Sequence, residues 1–136
     1  MFETFDHTAD VGLRIRAADL TSLFEEAGRG LFSLLVDNPD EVRPVDESTI
    51  DITGDQHDYL LFDWLNELLY RFETQQLAIS KFDVELDENG IHAKLWGECV
   101  DPERHKLAHE VKAITYHQLT VEESSAGWLA EVIVDI

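Results

Sequence analysis

The side chains of this chain best suited to chemistry are its carboxylates and histidines, and their spacing ranks them unequally. A strand-like run from Trp128 to Val134 leads directly into Asp135-Ile136, where the sequence stops. The Asp135 side chain and the terminal carboxylate of Ile136 are therefore expected to lie close together at a strand end. Hard divalent cations favour such oxygen clusters, and like charges held close become tolerable with a cation between them. Read from the residues alone, the same pair describes a solvated tail equally well. Asp6, Asp10 and Asp19 form a second carboxylate-rich segment, a weak signal in a chain with 29 acidic residues. His105 and His109, four apart, would share one face of a helix and supply half of a zinc site. No third ligand stands at a recognisable spacing, so they are read as histidines of a polar loop. His7 and His117 fall in strand-like segments, where a histidine bonded to backbone or carboxylate is commoner than a metal ligand.

Other chemistries lack their residues. Gly28-Arg29-Gly30 lies inside a helical pattern and is not followed by Lys-Ser/Thr, so it is no phosphate-binding loop. There is no Gly-x-Ser-x-Gly elbow, and Cys99, the single cysteine, has no catalytic neighbour in sequence and no partner for an intramolecular disulfide. Ten Lys and Arg against 29 Asp and Glu give a formal charge of −19, which opposes extensive contact with a phosphate backbone. That surplus suits a basic partner protein, a carboxylate metal site, or solubility alone.

The elements that must position these groups follow from periodicity. Val11, Leu13 and Ile15 alternate with Gly12, Arg14 and Arg16 as in a half-buried strand, with a further strand over residues 2–5. Leu20, Leu23, Phe24, Ala27, Leu31, Leu34 and Leu35 have helical spacing, and Ser22 with Glu25 matches a capping box. Asp37-Asn38-Pro39-Asp40 stops that helix, and a polar loop leads to a short strand around Ile50 and Ile52. Gly54-Asp55 opens a second helix with Leu60, Leu61, Trp64, Leu65, Leu68, Leu69 and Phe72 on one stripe. Ile79 to Leu86 and Ile91 to Trp96 form a hairpin about Asp87-Glu88-Asn89-Gly90, and Asp101-Pro102 breaks its second arm. Residues 111–121 alternate with Val111, Ala113, Thr115, His117, Leu119 and Val121 on one face. Trp128 to Ile136 is the last strand.

The order predicts a single α+β domain over 1–136, two amphipathic helices packed on a mainly antiparallel sheet in the order β-β-α-β-α-β-β-β-β. No stretch approaches a membrane span and the N-terminus lacks a signal-peptide layout, so a soluble, cytoplasmic protein is expected. Edges at the first or last strand offer pairing surfaces between chains, and nothing in the sequence specifies an oligomeric state.

Three segments, Phe5-Asp6-His7-Thr8-Ala9-Asp10-Val11-Gly12, Val111-Lys112-Ala113-Ile114-Thr115-Tyr116-His117 and Val132-Ile133-Val134-Asp135-Ile136, closely resemble the archease family, as do Asp63 to Tyr70 and Gly97-Glu98. The resemblance covers essentially the whole chain. It implies a protein cofactor, not an enzyme, for an RtcB-type RNA ligase, which joins 2′,3′-cyclic-phosphate or 3′-phosphate ends to 5′-hydroxyl ends in tRNA splicing and RNA repair. By resemblance, the protein speeds guanylylation of the ligase histidine, supports multiple turnover, and meets RNA only through the ligase. The family's metal ligands fall on Asp10, Asp135 and Ile136; the ion would be calcium, magnesium, manganese or zinc. Arg104, with Lys106 beside it, and Lys112 match basic residues that contact the partner or a phosphate, although Lys112 reads equally as a strand lysine paired with a carboxylate. The chain departs from many relatives at Lys106-Leu107-Ala108, where they carry Pro and Gly. Two other functions compete: a stand-alone metal-dependent phosphate-ester hydrolase, and a general chaperone or adaptor for RNA-modifying enzymes.

Overall fold

The computed structural model describes residues 1–7 and 10–136; Thr8 and Ala9, within the first resemblance segment, and the His7 side chain lie outside the described residues. The strands are β1 (Phe2–His7), β2 (Asp10–Ala17), β3 (Asp46–Thr53), β4 (Leu77–Asp87), β5 (Gly90–Cys99), β6 (Ala113–Ser124) and β7 (Gly127–Asp135), with helices α1 (Leu20–Leu35) and α2 (His57–Gln75). The α+β class and element order are those expected. The strands divide between two antiparallel sheets, one ordered β1-β2-β7-β6 and the other β3-β5-β4.

Two sheets are needed because α1 is apolar on more than one side. It packs against β2 of the first sheet and β4 of the second. The Gly28-Arg29-Gly30 step shows how. A Cβ on Gly28 would lie 2.7 Å from the Phe82 ring of β4, whereas one on Gly30 would meet Phe2 of β1 and Leu13 of β2 at 3.3–3.4 Å. Two residues turn a helix by about 200°, so the two glycines admit the two sheets from opposite sides. Trp64 of α2 is fully buried and donates from Nε1 to the Phe24 carbonyl at 2.9 Å, joining the helices. Around that bond Phe32 meets Phe72 and Phe82 at 6.2 and 6.3 Å between ring centroids, and Trp64 meets Phe82 at 6.2 Å.

Local detail departs from expectation in three places. The N-cap of α1 is Asp19, whose side chain accepts from the Ser22 N–H at 2.8 Å. Glu25 instead accepts the Val84 N–H at 3.0 Å, covering a backbone donor of edge strand β4. Second, α2 begins at His57, after Gln56, not at Gly54-Asp55. Third, β6 does not alternate throughout. Its register against β7 jumps between Thr115 and Thr120, which face Ile133 and Glu131 respectively, and Gln118 has φ +61°. The extra residues reverse the parity, so Ile114 and Leu119 are both buried. A bulge of this kind cannot be read from an alternating pattern that continues through it.

Candidate functional site

The register of the first sheet brings the start of β2 beside the end of β7. Asp10 opens β2 and stands directly opposite Asp135 at the end of β7, while Ala113 of β6 faces Asp135 from the other side. The Lys112 N–H donates to the Asp135 carbonyl at 2.8 Å, so the ladder holds this end of β7 on both flanks. Directly opposed residues share a face, with Cβ atoms about 5 Å apart, which sets the Asp10 and Asp135 carboxylates on the same side of the sheet.

Two positions further along that face, Gly12 is opposed to Phe5, and a Cβ on Gly12 would fall 2.1 Å from the Phe5 ring. The ring therefore lies against the Gly12 backbone, which accounts for a phenylalanine and a glycine framing the first resemblance segment. The Arg14 guanidinium stands 4.8 Å from the Phe5 centroid and bonds Glu131 at 2.8 Å and Glu3 at 3.3 Å. Arg16 and Arg14 together hold the Glu3 carboxyl below the usual range.

Around the strand ends a cavity of about 540 Å³ is lined by Asp6, Asp10, Val11, Leu34, His109 and Ile136, among others. His109 arrives there because the segment before β6 follows the C-terminus of α1. The His109 N–H donates to the Leu34 carbonyl and the Ala108 N–H to that of Leu35, at 2.8 and 3.0 Å, pairing carbonyls that a helix end leaves unsatisfied. Asn38 clamps the same segment, donating to the Arg104 carbonyl and accepting from the Lys106 N–H. The Lys106-Leu107-Ala108 departure thus forms a docked loop, tied to α1 by main-chain bonds that no particular side chain supplies.

His105 and His109 do not form a pair. They lie on a loop, not a helix, with His105 buried and His109 exposed at the cavity. The Asp101 N–H donates to His105 Nδ1 at 2.8 Å, so in the neutral ring the proton sits on Nε2, 3.3 Å from Glu98 Oε2. Glu98 also receives the Arg43 N–H and the Arg104 guanidinium. Burial alone would push its carboxyl up; the Arg43 N–H and the Arg104 charge outweigh this and hold it low. Arg104, which also bonds the Glu41 carbonyl, is engaged within the chain and does not line the 540 Å³ cavity. Lys112 lies exposed beside α2. Asp19 is the α1 cap, and His117 is exposed in the β6 bulge.

Sequence reasoning passed over Tyr116. It stacks on Tyr59 with centroids 5.2 Å apart and donates to Asp58 Oδ2 at 2.6 Å, tying the bulge to the start of α2. The Asp58 carboxylate, together with burial and Tyr59, pushes its hydroxyl above the usual range. Its only sequence signal was an aromatic residue inside the second resemblance segment.

The donor chemistry at the tip is all oxygen with one imidazole, which fits a hard divalent cation. Among the described residues no three His, Cys, Asp or Glu side chains converge closely enough to hold a metal. An ion at Asp10 and Asp135 would therefore require a further oxygen, and the strand end at Ile136 is the nearest in sequence.

A small α+β protein with helices clasped between two antiparallel sheets and a carboxylate pair where the start of β2 meets the end of β7 is the class these features define. The chain matches the Archease protein family (MTH1598/TM1083) over residues 2–136 and belongs to that family. It is 38% identical over 137 residues to protein archease of Saccharolobus solfataricus, covering 99% of this chain and 98% of the relative. Protein archease of Methanosarcina mazei is 37% identical over 140 residues, covering 99% and 95%. Among solved structures, protein 1598 of Methanobacterium thermoautotrophicum superposes with a TM-score of 0.82 at 32% identity, covering 99% of this chain and 98% of that one. A Thermotoga maritima structure described as an archease and possible chaperone has the same fold, with a TM-score of 0.67 at 20% identity.

Proposed function

We propose that this archease is a protein cofactor that activates an RtcB-type RNA ligase, promoting guanylylation and repeated turnover through a divalent cation held at the tip. The observation that carries the reading is the direct opposition of Asp10 and Asp135 across the β2–β7 ladder, beside Ile136. Two carboxylates fixed on one face repel one another, and a cation between them relieves that repulsion. The Asp10 and Asp135 side chains with the terminal carboxylate of Ile136 would be the ligands, and the ion would supply positive charge against phosphate oxygens. The chain's own contribution is rigidity: the Lys112 N–H fixes the Asp135 carbonyl, and the His109 and Ala108 N–H groups anchor the neighbouring loop to α1. A pre-positioned charge acts without reorganisation when the partner's phosphates arrive.

The test is guanylylation and multiple-turnover ligation by the cognate RtcB ligase, with and without this protein, alongside folded Asp10→Ala and Asp135→Ala variants. The wild type should accelerate the ligase and each variant should lose the effect by tenfold or more, on the order of 1.4 kcal/mol. No effect of the wild type overturns the reading. Nucleotide turnover by the protein alone would favour the hydrolase, and Asp10-independent capture of unrelated RNA enzymes the chaperone.

A further inference from the structure

The outward face of α2 carries a groove whose two halves differ in chemistry. The first half, a hollow of about 580 Å³, is edged by Asp51, Asp63, Glu67, Tyr70 and Glu73, with Lys112 across from them. Glu67 is paired with Arg71 and Asp51 with His92. Among the described residues Asp63 and Glu73 carry no ion pair, and Tyr70 between them is 59% exposed. Asp63, Tyr70 and Glu73 fall on one stripe of the helix, the two acids about 15 Å apart along its axis.

The second half, about 490 Å³, adjoins the first through Leu69, Glu73 and Lys112, and its walls are Leu35, Phe72, Leu107 and Val111. Leu107 is 57% exposed at the lip although its neighbours Leu35 and Val111 are buried. His109 borders both this hollow and the 540 Å³ cavity at Asp10 and Ile136, so the two lie next to one another.

We infer that this groove docks a basic amphipathic segment of the partner protein, one apolar side chain entering the hollow at Phe72 and Leu107 and flanking Lys or Arg residues reaching Asp63 and Glu73. The inference rests on the activator reading for the identity of the partner, and on charge complementarity for its chemistry. An apolar pocket beside two carboxylates that make no ion pair among the described residues, in a hollow whose acids outnumber Lys112, selects for an apolar anchor next to positive charge, and exposed Tyr and Leu at the lip supply area that gains from burial. Acidic and neutral segments are disfavoured by the same field. Because His109 borders both hollows, a segment docked here would lie next to the cavity at Asp10.

Two measurements test it. The first is the affinity of the cognate ligase for full-length protein carrying Asp63→Lys with Glu73→Lys, or Leu107→Ser, with Asp10→Ala as the contrast. The charge reversals should weaken binding about tenfold and flatten its salt dependence, Leu107→Ser should weaken it several-fold, and Asp10→Ala should bind as wild type while failing to activate. At saturating concentration the groove variants should still reach the wild-type guanylylation rate. Unchanged affinity and salt response overturn the groove. The second is amide chemical-shift mapping of the wild type with a short peptide of leucine flanked by lysines. Shifts confined to α2, residues 107–113 and the groove edges at Leu35, Asp51 and Ile52 are expected, and shifts elsewhere or none overturn the groove. If the peptide maps there but the ligase does not bind, the activator reading fails and the groove stands.

Discussion

At the scale of single residues, His92 shows how a surface group couples this fold to pH. Its Nδ1 lies 2.8 Å from Asp51 of β3 and its Nε2 3.1 Å from Asp87 at the end of β4, so the ring on β5 links all three strands of the second sheet. The hydrogen bond its ring donates to Asp51 contributes most to raising its pKa above 6.5, with the Asp87 charge adding to it. Because the folded value exceeds the unfolded one, the stabilisation is fully present below about pH 6.5 and is lost as pH rises through the raised folded value. Urea unfolding as a function of pH should therefore show a stability difference between wild type and His92→Gln that is largest on the acid side of that range and fades above it. A difference independent of pH would show that the ring acts by packing alone. At the tip, by contrast, Asp10 and Asp135 are neighbours because the backbone ladder makes them so, and the resemblance had already singled out both.

At the scale of elements, the telling case is α1. A glycine in a helix interior costs about 1 kcal/mol relative to alanine, yet α1 carries two, each at a contact with a different sheet. Gly28→Leu should destabilise the protein by about 1–3 kcal/mol through overpacking against Phe82, measurable by urea denaturation. A neutral result would mean the aromatic cluster can yield. Much of this level was legible in advance. The spacing of Leu23, Phe24, Ala27 and Leu31 fixed one helix, that of Leu60, Leu61, Trp64 and Leu65 the other, and Asn89-Gly90 marked the hairpin. What pattern could not convey was pairing. Nothing local to Asp10 reveals that it meets Asp135, and only family resemblance linked them. Periodicity likewise missed the β6 bulge, because apolar residues continue through it, and the Glu25 contact with Val84, because Glu25 also suits a capping box. The two-sheet division was hidden for a related reason: alternation tells a strand which face is apolar but not which strand lies beside it.

For the whole molecule, the −19 charge bears on every encounter. No helix among the described residues is long and apolar enough to cross a membrane. Association with a basic partner should be fast at low ionic strength and slow markedly between about 0.05 and 0.5 M salt as screening shortens the reach of the field. Stopped-flow association rates would show this, and a salt-independent rate would count against electrostatic steering. The protein alone should not retain RNA on a filter at physiological salt; retention would demand a basic surface that Arg14, Arg71 and Arg104, already engaged with carboxylates, do not provide.

The position of β7 between β2 and β6 has a consequence for how the molecule is made. During synthesis β3, β4 and β5 emerge with both helices and can close their sheet early. The β1–β2 hairpin, translated before any of them, has no strand on its inner edge until residues 127–135 appear. Until β7 emerges β2 therefore presents an unpaired edge, an invitation to mispairing that the ribosome-bound chain must survive. The strand that carries Asp135 to the tip also seals that edge, so the candidate site and the first sheet are completed in one event in the life of the chain.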